Sequence, residues 1–236
     1  MGVFKKVWGS SPDREIVDGL IGYFNLTDWR LTTFPKEQRD WIETEYQRGL
    51  LDFGDSNPRP LTAGKIESCS KARAHILTEI AIILYRGGFR QQSFAVFEFA
   101  ESEATCQQDY ISLHFAYHHL IELNYRDREK VPGAIEAAIE ACLKQISLAP
   151  KAEEAFLAEY RFDSDGGSLP RPLGYYQLAI IREKAGNFSE AIRLSKLALE
   201  QGWAGDWEKR ITRLEKKLRN MGVRKDSPSL SQTPDL

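Results

Sequence analysis

The sequence predicts an all-α protein in which antiparallel helical hairpins stack into an array. Three observations point there. Gly174–Trp203, GYYQLAIIREKAGNFSEAIRLSKLALEQGW, reads as two short helices joined by a tight turn. Ala179, Gly186, Ala191 and Ala198 within it are spaced seven, five and seven apart, and Ala81, Gly88, Ser93 and Ala100 repeat those spacings upstream. A third segment, AAIEACLKQISLAP, sets Ala138, Cys142, Ile146 and Pro150 on one helical face. Small residues at such positions let two helices approach closely, and a stacking unit needs neighbours to cover it.

Each element can be justified in turn. Ser10 or Ser11 with Pro12 starts a helix expected to run to about Phe24, with Ile16, Leu20, Ile21 and Phe24 inward. The chain then turns, and a second helix starts near Pro35 with Trp41, Ile42 and Tyr46 as its stripe, ending at Gly49. LLDFGDSNPRPLTAGK is rich in turn formers and marks a boundary. Thr62 caps a long helix reaching about Arg86, Gly87-Gly88 break it, and Gln91–Glu103 form the next. Asp109–Tyr125 is apolar on most of its circumference, as expected of a helix buried between neighbours. Pro132 opens a helix ending near Leu148, Pro150 stops it, and AEEAFLAEY forms a separate short helix before the loop RFDSDGGSLPRP. In the hairpin named first, Tyr175, Leu178, Ala179 and Ile181 face Ala191, Leu194, Ala198 and Leu199, with Gly186 at the turn and Ser189 as N-cap. A final helix from Asp206 to Asn220 docks through Trp207, Ile211, Leu214 and Leu218, while Lys209, Arg210, Lys216, Lys217 and Arg219 face water. The last residues, VRKDSPSLSQTPDL, are expected to be disordered.

The spacings of seven, five and seven among small residues, with Phe188 two residues after the turn glycine, resemble the tetratricopeptide (TPR) repeat. Tyr175 and Arg182 stand where that family most often has Trp and Tyr. The resemblance spans about Ala74–Trp203 and implies a right-handed array. With it go an N-terminal helical subdomain with its linker over 1–60, repeats with a capping helix over 61–220 and a tail over 221–236. It also implies a groove for a peptide or partner protein along the inner face of each first helix. Matched by position, that face carries His75, Thr78, Ile82, Tyr85 and Arg86 in one unit and Tyr176, Ile180, Glu183 and Lys184 in another.

Composition is that of an ordinary soluble globular protein, with 236 residues, 42% apolar, 28% charged and net charge −2. That balance gives no electrostatic case for nucleic acid, and no apolar run is long enough to span a bilayer. Three separated cysteines without CxxC point to a reduced, cytoplasmic compartment, and each sits in an apolar helical pattern as a small hydrophobe. The basic, amphipathic opening MGVFKKVWG is expected to pack on its own domain or fray rather than bind membrane.

No catalytic motif is present: no GxSxG, no GxxxxGK[ST], no GxGxxG after a strand. His114, His118 and Glu122 lie two four-residue steps apart on one helical face, beside His119, and could seat zinc or iron. The favoured reading is a polar stripe joining the groove, with no metal and no cofactor. Asp163–Gly166 resembles the start of a calcium loop, but Pro172 stands where the loop's closing glutamate belongs. The sequence therefore predicts a non-enzymatic scaffold or adaptor that binds protein. A metal-binding protein using the histidine stripe is one alternative. A regulator touching nucleic acid through the basic last helix is the other.

Overall fold

Local signals close most of the turns. Gly88 (φ 83°) and Gly186 (φ 75°) hold the left-handed conformation that ends a helix without steric cost only for glycine. Asp109 and Asn187 cap the helices that follow them, accepting from the backbone N–H of Ser112 at 2.9 Å and of Glu190 at 3.1 Å. The computed structural model describes residues 17–51, 57–159 and 169–225. Among these are ten helices and no strand. They are α1 (Gly19–Tyr23), α2 (Thr27–Thr33), α3 (Lys36–Leu51), α4 (Arg73–Arg86), α5 (Arg90–Gln107), α6 (Tyr110–Asp127), α7 (Ala134–Glu159), α8 (Leu173–Lys184), α9 (Phe188–Glu200) and α10 (Trp207–Lys225).

The chain divides into two compact units, Met1–Val96 and Phe97–Leu236, with the division inside α5. In the first, α3 packs on α4. The buried Glu43 carboxylate accepts from Leu61 N at 2.8 Å and Thr62 Oγ1 at 2.8 Å, and so holds the turn over 57–64 onto α3. Ser93 Oγ donates to Ala81 O at 2.7 Å, tying the start of α5 to α4 through two of the small-residue positions. In the second unit α6 packs on α7, α7 on α8, α8 on α9 and α9 on α10, and α6 also touches α8. Its core gathers Ile121, Cys142, Phe156, Leu178, Leu194 and both Trp203 and Trp207. Ala81, Ser93, Ala100, Ala179, Ala191 and Ala198 are all buried.

Several expectations need correction. The helix of Arg73–Arg86 does not begin at Thr62, whose hydroxyl is engaged by Glu43 instead. The first described helix is only Gly19–Tyr23, α2 forms where a turn was expected, and α3 runs past Gly49 to Leu51. Pro150 does not stop α7. A mid-helix proline costs about 3 kcal/mol. Ala149, Ala152 and Phe156 flank it in the core, and burying such side chains returns about 1.5–3 kcal/mol for each large one. The N-cap of α9 is Asn187, not Ser189. Leu199 and Leu218 are 41% and 40% exposed, outside the faces assigned to them. Helix α10 continues through Lys225 into the segment expected to be a tail. The rest of that tail, the opening MGVFKKVWG and Asp163–Gly166 lie outside the described residues.

Gly174 opens α8 where there is no room for a side chain. A Cβ there would stand 2.9 Å from Cys142 O and 3.0 Å from Gln145 Oε1. Gly174→Ala is therefore expected to destabilise the fold by about 1–3 kcal/mol in urea titration. Gly186→Ala meets open space and should lose only the smaller backbone term, about 1–2 kcal/mol. Equal midpoints for Gly174→Ala and the parent protein would contradict this packing.

Candidate functional site

The residues matched to a groove divide by environment. In the first unit Thr78 is buried and returns its hydroxyl to Ala74 O at 3.0 Å, so it packs rather than presents. Ile82 and Arg86 line an open cavity of about 420 Å³ between α3 and α4, with Tyr46, Leu50, Lys71 and Glu79. Tyr85 is half-buried beside them on α4. Glu79 organises the polar side of that cavity. Its carboxylate accepts from Tyr46 OH at 2.8 Å and from Lys71 Nζ at 2.6 Å, with His75 Nε2 at 3.5 Å. Burial works against the charged carboxylate, but the hydrogen bonds from His75, Lys71 and Tyr46 outweigh it and hold Glu79 below the usual carboxylate range. The Tyr46 phenol is pushed up by burial and by the charge of Glu79, so it stays a neutral donor. Ile82 and Ile83 give that cavity an apolar wall beside the anchored Glu79 carboxylate.

The groove residues of α8 are largely met by α10. Glu183 receives Arg213 at 2.5 and 2.8 Å and Lys217 at 2.7 Å, with Arg210 Nη1 at 3.8 Å. The hydrogen bond from Arg213 is the main cause, against burial, of a Glu183 pKa lowered to about 2. Arg171 and Arg210 lie over the Tyr176 ring at 5.0 and 4.5 Å, and the Trp207 ring meets it at 6.3 Å. Lys184 Nζ donates to Tyr125 OH at 3.0 Å, while Ile180 stays half-buried. The expectation that Arg210 and Lys217 face only water is thus corrected: complementary charge on α8 draws them in. Lys209, Lys216 and Arg219 are exposed as expected, with Glu208 and Glu215 among them.

The histidine stripe separates. His114 is 1% exposed, stacked on Trp203 at 5.5 Å and edge-on to Phe115 and Phe156. It therefore leaves the groove for the core. His118 and His119 stay on the half-buried flank, with Glu122 at 3.9 and 3.4 Å. Among the described residues, no three His, Cys, Asp or Glu side chains are grouped to hold a metal ion. Of the cysteines only Cys142 is buried, and burial pushes its thiol up to about 12. Cys69 lies in a loop and Cys106 is exposed, contrary to their reading as core residues. No described helix is long and apolar enough to cross a membrane.

Tyr46, Lys71, Glu79, Arg171 and Arg213 were not among the residues assigned to a site from sequence. Glu79 alone carried a signal, a carboxylate between Thr78 and Ile80 on an apolar helix.

Two acid windows follow. Burial, with the nearby His118 charge, lowers the His114 pKa from 6.5 to about 4. The unfolded chain then binds the extra proton between those values, so the stability linked to His114 is full above about pH 6.5 and is lost toward pH 4. Neither ring nitrogen has a hydrogen-bond partner. His114→Phe should therefore match or exceed parent stability at pH 7 and flatten its decline between pH 6.5 and 4. The lowered Glu183 pKa acts in a different window: its stabilisation is present above about pH 4.5 and lost toward pH 2. Glu183→Gln should cost about 1 kcal/mol at pH 7 and remove that acid-side slope, as read by thermal melts across pH. A variant with the parent slope would refute the corresponding assignment.

No protein-family model matches the chain, and neither do any curated protein or solved structure.

Proposed function

We propose that this chain is a TPR-like scaffold that binds a peptide or partner protein along the inner faces of its first helices. The observation that carries the reading is the twofold set of small residues. Ala81, Ser93 and Ala100, like Ala179, Ala191 and Ala198, are buried, and each set turns at a glycine of positive φ. Helices brought that close by small side chains leave their opposite faces for recognition. Those faces carry Ile82, Tyr85 and Arg86 on α4 and Ile180 on α8, half-buried except for the exposed Arg86. The cavity beside Ile82 and Arg86, about 420 Å³, gives that face a recess with room for more than one peptide side chain.

The test is capture of partners from the native host by the immobilised full chain, with Ile82→Ala and Ile180→Ala combined as the altered surface. The double variant should retain its helicity and lose captured partner at least tenfold. Capture unchanged in that variant, or abolished instead by Lys216→Ala/Arg219→Ala, would move the function away from these faces.

A further inference from the structure

A second cavity, of about 230 Å³, lies between the segment leading into α8 and the first turns of α10. Its wall carries Arg171, Lys209, Arg210 and Arg213 against one carboxylate, Asp206, with Tyr176 and Trp207 as the apolar part. Such a concentration of cations in a chain of net charge −2 is local, not a property of the whole surface. Arg210 is the central observation. Its side chain is nine-tenths buried, yet Nη1 has no hydrogen-bond partner and stands 3.8 Å from Glu183. A buried guanidinium N–H 3.8 Å from the nearest carboxylate is short of a hydrogen bond, which an oxyanion entering the cavity would complete. Arg213 is held in place by its two bonds to Glu183, so its guanidinium is positioned before any ligand arrives. The first turn of α10 adds the positive end of its dipole.

We propose that this pocket takes the phosphate group of a phosphorylated serine or threonine on a peptide, a reading that rests on the chain being a peptide-binding scaffold. The volume is below the roughly 300–1,000 Å³ of a small-molecule site and suits one compact group. A phosphomonoester carries a charge of about −1.5 to −2 and three acceptor oxygens, which arginine forks match better than a single carboxylate does. Nucleic acid fits less well. The Tyr176 ring already carries two guanidinium groups, and the exposed cations of α10 alternate with Glu208 and Glu215 instead of forming a track.

The probe is a blocked tripeptide, acetyl-Ala-phosphoSer-Ala-amide, titrated into the full chain and read by the indole N–H resonance of Trp207. Controls are the same peptide with Ser or Glu at the centre, inorganic phosphate, and an eight-residue oligothymidylate. The phosphopeptide should shift the Trp207 signal saturably and bind at least tenfold tighter than the Ser and Glu peptides. Inorganic phosphate should compete with it. Arg210→Gln should abolish binding. Because that change also removes a packed side chain, Arg171→Gln/Lys209→Gln provides a second variant, with both substitutions at exposed positions. It should weaken binding at least fivefold with an unchanged melting temperature. No saturable shift, equal affinity for the Ser or Glu peptide, or undiminished binding in the double variant would overturn the proposal. Tighter binding of the oligonucleotide would overturn it in favour of a nucleic-acid site. The tripeptide is too short to test the faces around Ile82 and Ile180. Its failure would strike this pocket alone, whereas unaltered capture by the Ile82→Ala/Ile180→Ala variant would strike the scaffold reading.

Discussion

One buried amide joins three helices of the second unit. Gln145, 2% exposed on α7, donates from Nε2 to His114 O of α6 at 2.9 Å and accepts at Oε1 from Gly174 N at the start of α8. The first N–H groups of a helix have no partner within it, and a buried one must find an acceptor elsewhere. Gln145 supplies that acceptor, and Gly174 makes the approach possible by lacking a side chain. The position of α8 on α7 is thereby fixed by a directional contact, to which the non-directional burial of Cys142, Leu178 and Ala179 adds its weight.

The first unit uses a comparable device in a different chemistry. Glu43 is a buried carboxylate whose two oxygens serve the turn over 57–64, with Arg30 at 3.9 Å supplying charge. This is why that stretch, with its prolines and small polar residues, adopts an ordered path against α3. The expected cap at Thr62 failed for the same reason: its hydroxyl was already committed across the fold.

Charge at the α8 end of the second unit illustrates how exposure alone misleads. A stripe of cations on a terminal helix is by default a solvated face. Here Glu183, only 14% exposed, draws Arg213 and Lys217 across and leaves Arg210 nearly buried, its Nη1 3.8 Å from the carboxylate and without a hydrogen bond. The arrangement joins α10 to α8 and sets the Arg210 guanidinium over the Tyr176 ring. The same contacts that complete the fold thus create the pocket.

Periodicity and local chemistry determined the helical class, the turns at Gly88 and Gly186 and the buried faces of Ala179, Ala191 and Ala198. Each rests on interactions within one or two helical turns, which sequence spacing encodes directly. Ile82, Arg86 and Tyr176, which the resemblance assigns by position to the first helices' inner faces, each line a cavity. Tertiary structure alone decided that α7 runs through Pro150, that His114 turns into the aromatic core, and that Glu183 gathers α10. Those outcomes depend on side chains tens of residues apart. There, burial and ion pairing worth a few kcal/mol outweigh local propensities of similar or smaller size, and a linear pattern does not record which distant partner is present.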